Sequence, residues 1–146
     1  MKNKRLPLLG GIVLLVAIAF VGVVSATPAG CTPGYWKNHL DAWPSGINPE
    51  SPVFYGTFDF DGDGADTNLE ALAYPGGKDV AGAQRILLRA AIAAKLNSLT
   101  FTGPGGYWFP DGFDDAVNFA LGTNRANILA LATKLDGWNN AGCPLN

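Results

Sequence analysis

The chain has 146 residues, enough for one domain with one core, and carries a formal charge of −2, one histidine and two cysteines. A mildly acidic chain lacks the basic face expected of a nucleic-acid binder, and one histidine with two cysteines is a poor donor set for zinc. High glycine and proline content, 19 and 10 residues, assigns a large share of the chain to loops.

The chain opens "MKNKRLPLLGGIVLLVAIAFVGVVSATPAG". Lys2, Lys4 and Arg5 make a positive start, Leu6 to Val24 an almost unbroken apolar run, and Val24-Ser25-Ala26 puts small residues at a cleavage position. This pattern predicts a secretory signal peptide over residues 1–26, cut after Ala26, and a secreted domain over residues 27–146. The run is close to the roughly 20 residues that span a bilayer, so an uncleaved membrane anchor stays open as the alternative. A lipoprotein box is disfavoured by Pro28, which stands where leucine is expected. A pilin-type leader cut at Gly10 or Gly11 would leave about 14 apolar residues, short for a shaft helix. Cleavage removes three of the ten basic residues and none of the twelve acidic ones, which moves the charge from −2 to −5.

Cys31 and Cys143 lie near the two ends of the mature segment. In an oxidising compartment they are expected to form a disulfide that ties those ends together.

"CTPGYWKNHLDAW" has a Thr32-Pro33-Gly34 turn, then Tyr35, Trp36, His39, Leu40 and Trp43 at three- and four-residue spacing: a short amphipathic helix stopped by Pro44. Residues 44–52 read as a loop. Residues 53–60, "VFYGTFDF", are aromatic and β-branched and are expected to run extended. A two-turn helix is expected over Asn68 to Tyr74, ended by Pro75-Gly76-Gly77. The strongest helix follows: Asp79 is placed to cap it, and Val80, Ala83, Leu87, Ala90, Ala91, Ala94 and Leu96 or Ala93 share one broad face. Residues 100–112 read as a loop with a short strand at each end. "DDAVNFALG" predicts a helix capped by Asp114 or Asp111 and ended by Gly122. "TNRANILALATKLDGW" predicts another, starting at Thr123 or Asn124 and ending before Gly137. The fold class expected is mainly α: a small single-domain helical bundle with long Gly/Pro/aromatic loops and little sheet.

Five of the twelve acidic residues fall in "DFDGDGADTNLE". In twelve-residue register, Asp59, Asp61 and Asp63 occupy positions 1, 3 and 5, Gly64 position 6, Ala65 position 7, Thr67 position 9 and Glu70 position 12. That is the ligand scheme of an EF-hand calcium loop. Calcium takes roughly six to eight oxygens: alternating aspartates curl inward, the glycine allows the sharp turn, Ala65 lends its carbonyl and Glu70 closes the shell bidentately. Two features depart from the scheme. Asp66 holds the usually aliphatic position 8, and no helix is expected before the loop. The reading is a lone structural calcium site.

The opening "CTPGYWKNHLDAW", with "AAIAAKLNS" and "LATKLDGWNN…C", resembles a module of secreted bacterial and archaeal proteins. In that module a CTPGYWKNH opening precedes an AAKLN helix and an LDxWNN ending. The resemblance implies an extracellular location and a single folding unit, and brings no catalytic residues with it. The acidic loop is outside the pattern.

His39 is expected to anchor its helix to the core and bond a backbone carbonyl. Asp41, Glu50, Asp111, Asp114 and Asp115 are candidate carboxylates for a hydrolase, but no spacing singles out a pair. In "GPGGYWFPDG" a rigid loop carries Tyr107, Trp108 and Phe109, which cannot all be buried on one side, so the loop is a candidate partner contact. Taken together, the residues predict an extracellular or cell-surface structural protein that is not an enzyme. It would be held by calcium and a terminal disulfide and would self-associate into a filament or surface layer. A carbohydrate-binding or adhesion module on a surface polysaccharide is the alternative, and a hydrolase the third reading.

Overall fold

The computed structural model describes residues 29–103, 105–107 and 111–146; the expected signal peptide, Trp108 and Phe109 lie outside them. The fold is mainly helical, as its patterning implies: α1 Pro33–Asn38, α2 Asn68–Ala71, α3 Val80–Thr100, α4 Phe113–Leu121 and α5 Arg125–Asn139. Among the described residues, pairing outside helices is limited to the antiparallel bridges Gly30–Gly142 and Pro52–Thr67, and no strand flanks the 100–112 loop.

α3 is the central element. Asp79 caps it, accepting from Gly82 N–H at 2.7 Å, and the other four helices supply its neighbours, α5 above all. A helix surrounded in this way is buried around most of its circumference, so the single apolar face expected for it is too narrow a description. Leu88 and Ile92 are buried along with Leu87 and Leu96, whereas Val80, placed on the apolar face, is 46% exposed at the first turn. The run of small residues Ala90, Ala91, Ala93 and Ala94, all buried, lets partner helices approach closely. Each fully buried Leu or Ile, Leu135 and Ile128 of α5 included, stabilises the fold by about 1.5–3 kcal/mol.

Several boundaries differ from expectation. α1 starts at Pro33, whose missing N–H costs nothing at a first helical position, under a Thr32 cap that accepts from Tyr35 N–H at 3.1 Å. It breaks at His39, and a separate 3₁₀ turn, Leu40–Ala42, carries the chain to Trp43. α2 is one turn long, not two. α4 has Gly112 as its N-cap, in left-handed conformation at φ 77°, with no side-chain cap. Asp114 is instead ion-paired with Lys95 at 2.6 Å and accepts from the Tyr55 hydroxyl at 3.2 Å. α5 is capped by Asn124 and runs through Gly137 to Asn139, because packing on α3 outweighs the roughly 1 kcal/mol that an internal glycine costs.

The two ends meet as expected: Cys31 and Cys143 form a disulfide across a sequence separation of 112 residues. Beside it, Gly30 N–H bonds Gly142 O at 2.9 Å. Gly30 lies so close under the Trp138 carbonyl that a Cβ there would collide with it.

Beneath this junction sits a buried amide network. Asn97 Oδ1 accepts from Cys31 N–H (2.8 Å) and Trp36 Nε1 (3.1 Å), and its Nδ2 donates to Cys31 O (2.9 Å) and Asn139 Oδ1 (3.0 Å). Asn139 donates to Ala90 O and accepts the Tyr107 hydroxyl, each at 2.9 Å. Buried amides are tolerated where their donors and acceptors find partners, and these do.

Candidate metal centre

The loop between residues 59 and 70 is closed at its base by the core. Asp66 N–H bonds Phe58 O at 2.7 Å and Val53 N–H bonds Asp66 O at 3.2 Å, beside the Pro52–Thr67 bridge. The Asp66 side chain, 3% exposed, accepts Phe60 N–H at 3.0 Å and the Tyr74 hydroxyl at 2.6 Å, both on Oδ2. The buried Asn68 clamps the approach, which turns at residues 54–56 where an extended run was expected, accepting from Phe54 N–H and donating to Ser51 O and Pro52 O. Asp66 therefore stands at position 8 because the loop turns that residue inward, and a buried tyrosine hydroxyl and a backbone amide meet its charge there. Sequence reasoning passed over this role. The available signal was a tyrosine eight residues on, three residues past the end of the helix the loop feeds.

Beyond this base the loop is exposed. Gly62 at φ 87° and Gly64 at φ 137° turn it through conformations that favour glycine. Asp59 Oδ1 accepts Gly62 N–H at 2.7 Å and Asp61 Oδ1 accepts Asp63 N–H at 3.3 Å, which directs the side chains inward. One carboxylate oxygen from each of Asp59, Asp61 and Asp63 lies within 4.8 Å of the others. Asp61, by hydrogen bond first and by its charge next, holds Asp63 above its ordinary pKa, and Glu70 and Asp59 add to the effect. Crowded carboxylates of this kind suit a hard cation with oxygen ligands.

Glu70, the fourth carboxylate expected, is not among the oxygens that lie within 4.8 Å of one another. Thr67 caps α2, its Oγ1 accepting Glu70 N–H at 3.2 Å, while Glu70 Oε2 accepts Thr67 N–H at 2.7 Å. This reciprocal box makes Glu70 the third helical residue, with its side chain directed back toward the loop. Ala65 is exposed.

Other candidates are dispersed. His39 bonds Tyr35 O at 2.9 Å through Nδ1, as expected, but its ring stacks on Tyr35 at 4.1 Å in solvent and does not reach the core. Tyr107, expected at a partner contact, is instead buried, its hydroxyl on Asn139 and its ring edge-on to Trp138. Asp41, Glu50, Asp111 and Asp115 are exposed. No helix among the described residues is long and apolar enough to cross a membrane. Comparison of the chain with protein-family models, curated proteins and solved structures finds no match.

Proposed function

We propose that this chain is a structural domain of the cell exterior, closed by its disulfide and stiffened by one calcium ion. The ion would take carboxylate oxygens from Asp59, Asp61 and Asp63, the Ala65 carbonyl, Thr67, and the Glu70 oxygen that takes no part in the capping box. The observation that carries the reading is the convergence of the three aspartates on a turn anchored to the core through Asp66 and Asn68. A hard, flexible oxygen cage favours calcium over magnesium, which demands near-octahedral geometry at shorter distance. The disulfide is compatible with an oxidising, extracellular setting, and the apolar leader and the module resemblance support the same location.

With calcium bound, the domain would assemble with copies of itself into a filament or surface layer. The α4 residue Phe119, 76% exposed, is an apolar side chain that such a contact would bury. Sedimentation velocity over a range of concentrations, in calcium and in chelator, tests it. Mass rising with concentration in calcium is expected; a monomer at every concentration in both buffers overturns assembly.

A further inference from the structure

On the core side of the acidic loop, facing α3, lies a cavity of about 240 Å³ lined by Phe60, Asp61, Asp66, Tyr74, Pro75 and Arg85. It falls below the roughly 300–1,000 Å³ of pockets for drug-sized ligands, which leaves room for a single ring. Its polar groups are held in place and incompletely used. Both hydrogen bonds to Asp66 end on Oδ2, so Oδ1 of this almost wholly buried carboxylate takes neither. The Arg85 guanidinium rests over the Phe60 ring at 5.3 Å and donates from Nε to Pro75 O at 3.3 Å, and it pairs with neither carboxylate of the cavity. Tyr74 closes the wall edge-on to Phe60, at 5.3 Å between centroids.

This lining discriminates between ligands by charge. Asp61 and Asp66 oppose a simple anion, and Arg85 offsets part of their pull on a simple cation. A hydroxyl both donates and accepts, so it satisfies a carboxylate oxygen and a guanidinium N–H together. Phe60, Tyr74 and Pro75 meanwhile offer apolar edges to C–H groups. We propose that this cavity binds one neutral sugar residue of a glycan, with ring hydroxyls donating to Asp66 Oδ1 and accepting from Arg85. The inference does not rest on the calcium reading, since neither of these two groups belongs to the aspartate trio.

The test is an amide-resolved NMR titration of the full, disulfide-bonded chain with methyl glycosides of neutral hexoses, pentoses and 2-acetamido-hexoses, run in calcium and in chelator. Saturable shifts at Phe60, Asp66, Tyr74 and Arg85 with at least one glycoside, in either buffer, are expected. Arg85→Ala is expected to weaken that binding about tenfold, the effect of one charge-assisted hydrogen bond, in a protein that stays folded although it loses the Pro75 bond and the Phe60 contact. If that variant fails to fold, Arg85→Lys keeps the stem on Phe60 while losing the planar donors, and is expected to show the same loss. The proposal is overturned by an absence of saturable shifts in both buffers, by shifts centred elsewhere, or by a folded Arg85 variant that binds like wild type. It is equally overturned if free glycine binds there more tightly than every glycoside, which would make the cavity a zwitterion site. A melting temperature indifferent to calcium would sink the metal reading and leave this one standing.

Discussion

Asn97 of α3 and Asn139 of α5, 42 residues apart in sequence, share a 3.0 Å side-chain hydrogen bond inside the core, and neither is exposed to solvent. Through Asn97 this pair holds both backbone groups of Cys31 and the indole of Trp36, so the disulfide end of the molecule is registered against its central helix.

Asn97→Leu is therefore expected to destabilise far more than an ordinary polar-to-apolar change. It strands the Cys31 amide and carbonyl and the Trp36 indole N–H in the core, each costing about 1–3 kcal/mol, for a total on the order of 4 kcal/mol. Asn97→Asp keeps the shape but turns the donor that faces Cys31 O and Asn139 Oδ1 into a charged acceptor, and is expected to be as harmful near neutral pH. Denaturant unfolding of the oxidised proteins measures both. A loss under about 1 kcal/mol for either would show that the network is dispensable.

Calcium is expected to raise the melting temperature by removing the repulsion within the loop. At a hundredfold excess over the dissociation constant the gain is about 2.7 kcal/mol, on the order of 10 °C for a domain of this size. Asp61→Asn is expected to abolish most of it. Glu70→Gln separates ligation from capping, because glutamine keeps a carbonyl oxygen for Thr67 N–H while losing the charge. Its melting temperature in chelator should match wild type and its calcium response should shrink. Scanning calorimetry in millimolar calcium and in chelator reads all three proteins, and equal wild-type transitions in the two buffers would refute the site.

The disulfide is expected to account for much of the domain's stability, since it closes a loop of more than a hundred residues. In the chain-entropy model such a loop contributes roughly 4.7 kcal/mol, an upper figure. Alkylation without reductant should leave both cysteines unmodified by mass, and Cys143→Ser should lower the denaturation midpoint. Two alkylated cysteines in the native protein would contradict the bridge.

Alkaline pH is expected to unfold the protein through its buried phenols. Burial first, with Asp114 beside Tyr55 and Asp66 beside Tyr74, raises the pKa of Tyr55, Tyr74 and Tyr107 well above the ordinary value near 10. A raised folded-state pKa gives stability that is fully present below about pH 10 and is lost as pH climbs beyond it. Phenolate absorbance from these residues should therefore appear together with loss of helical dichroism. Absorbance equivalent to all four tyrosines near pH 10, with the helices intact, would be the contrary result.

What the sequence determined by itself was local or periodic. The cap and span of α3, the start of α5 at Thr123 or Asn124, the mainly helical class and the pairing of Cys31 with Cys143 follow from signals within a few residues, or from there being only two cysteines. The spacing of Asp59, Asp61 and Asp63 likewise dictates their convergence, because alternate residues of a tight turn share its inner side. What only the tertiary structure decided depends on partners distant in the chain. Asp66 is a departure from a ligand pattern until Tyr74 and the Phe60 amide surround it, and Asp114 is a helix cap until Lys95, 19 residues away, reaches its carboxylate. Gly137 ends a helix by propensity, and packing against α3 carries that helix past it. Asn97 and Asn139 are unremarkable letters in two helices; their burial is tolerable because each amide finds its complement across the core, a condition that no single segment contains.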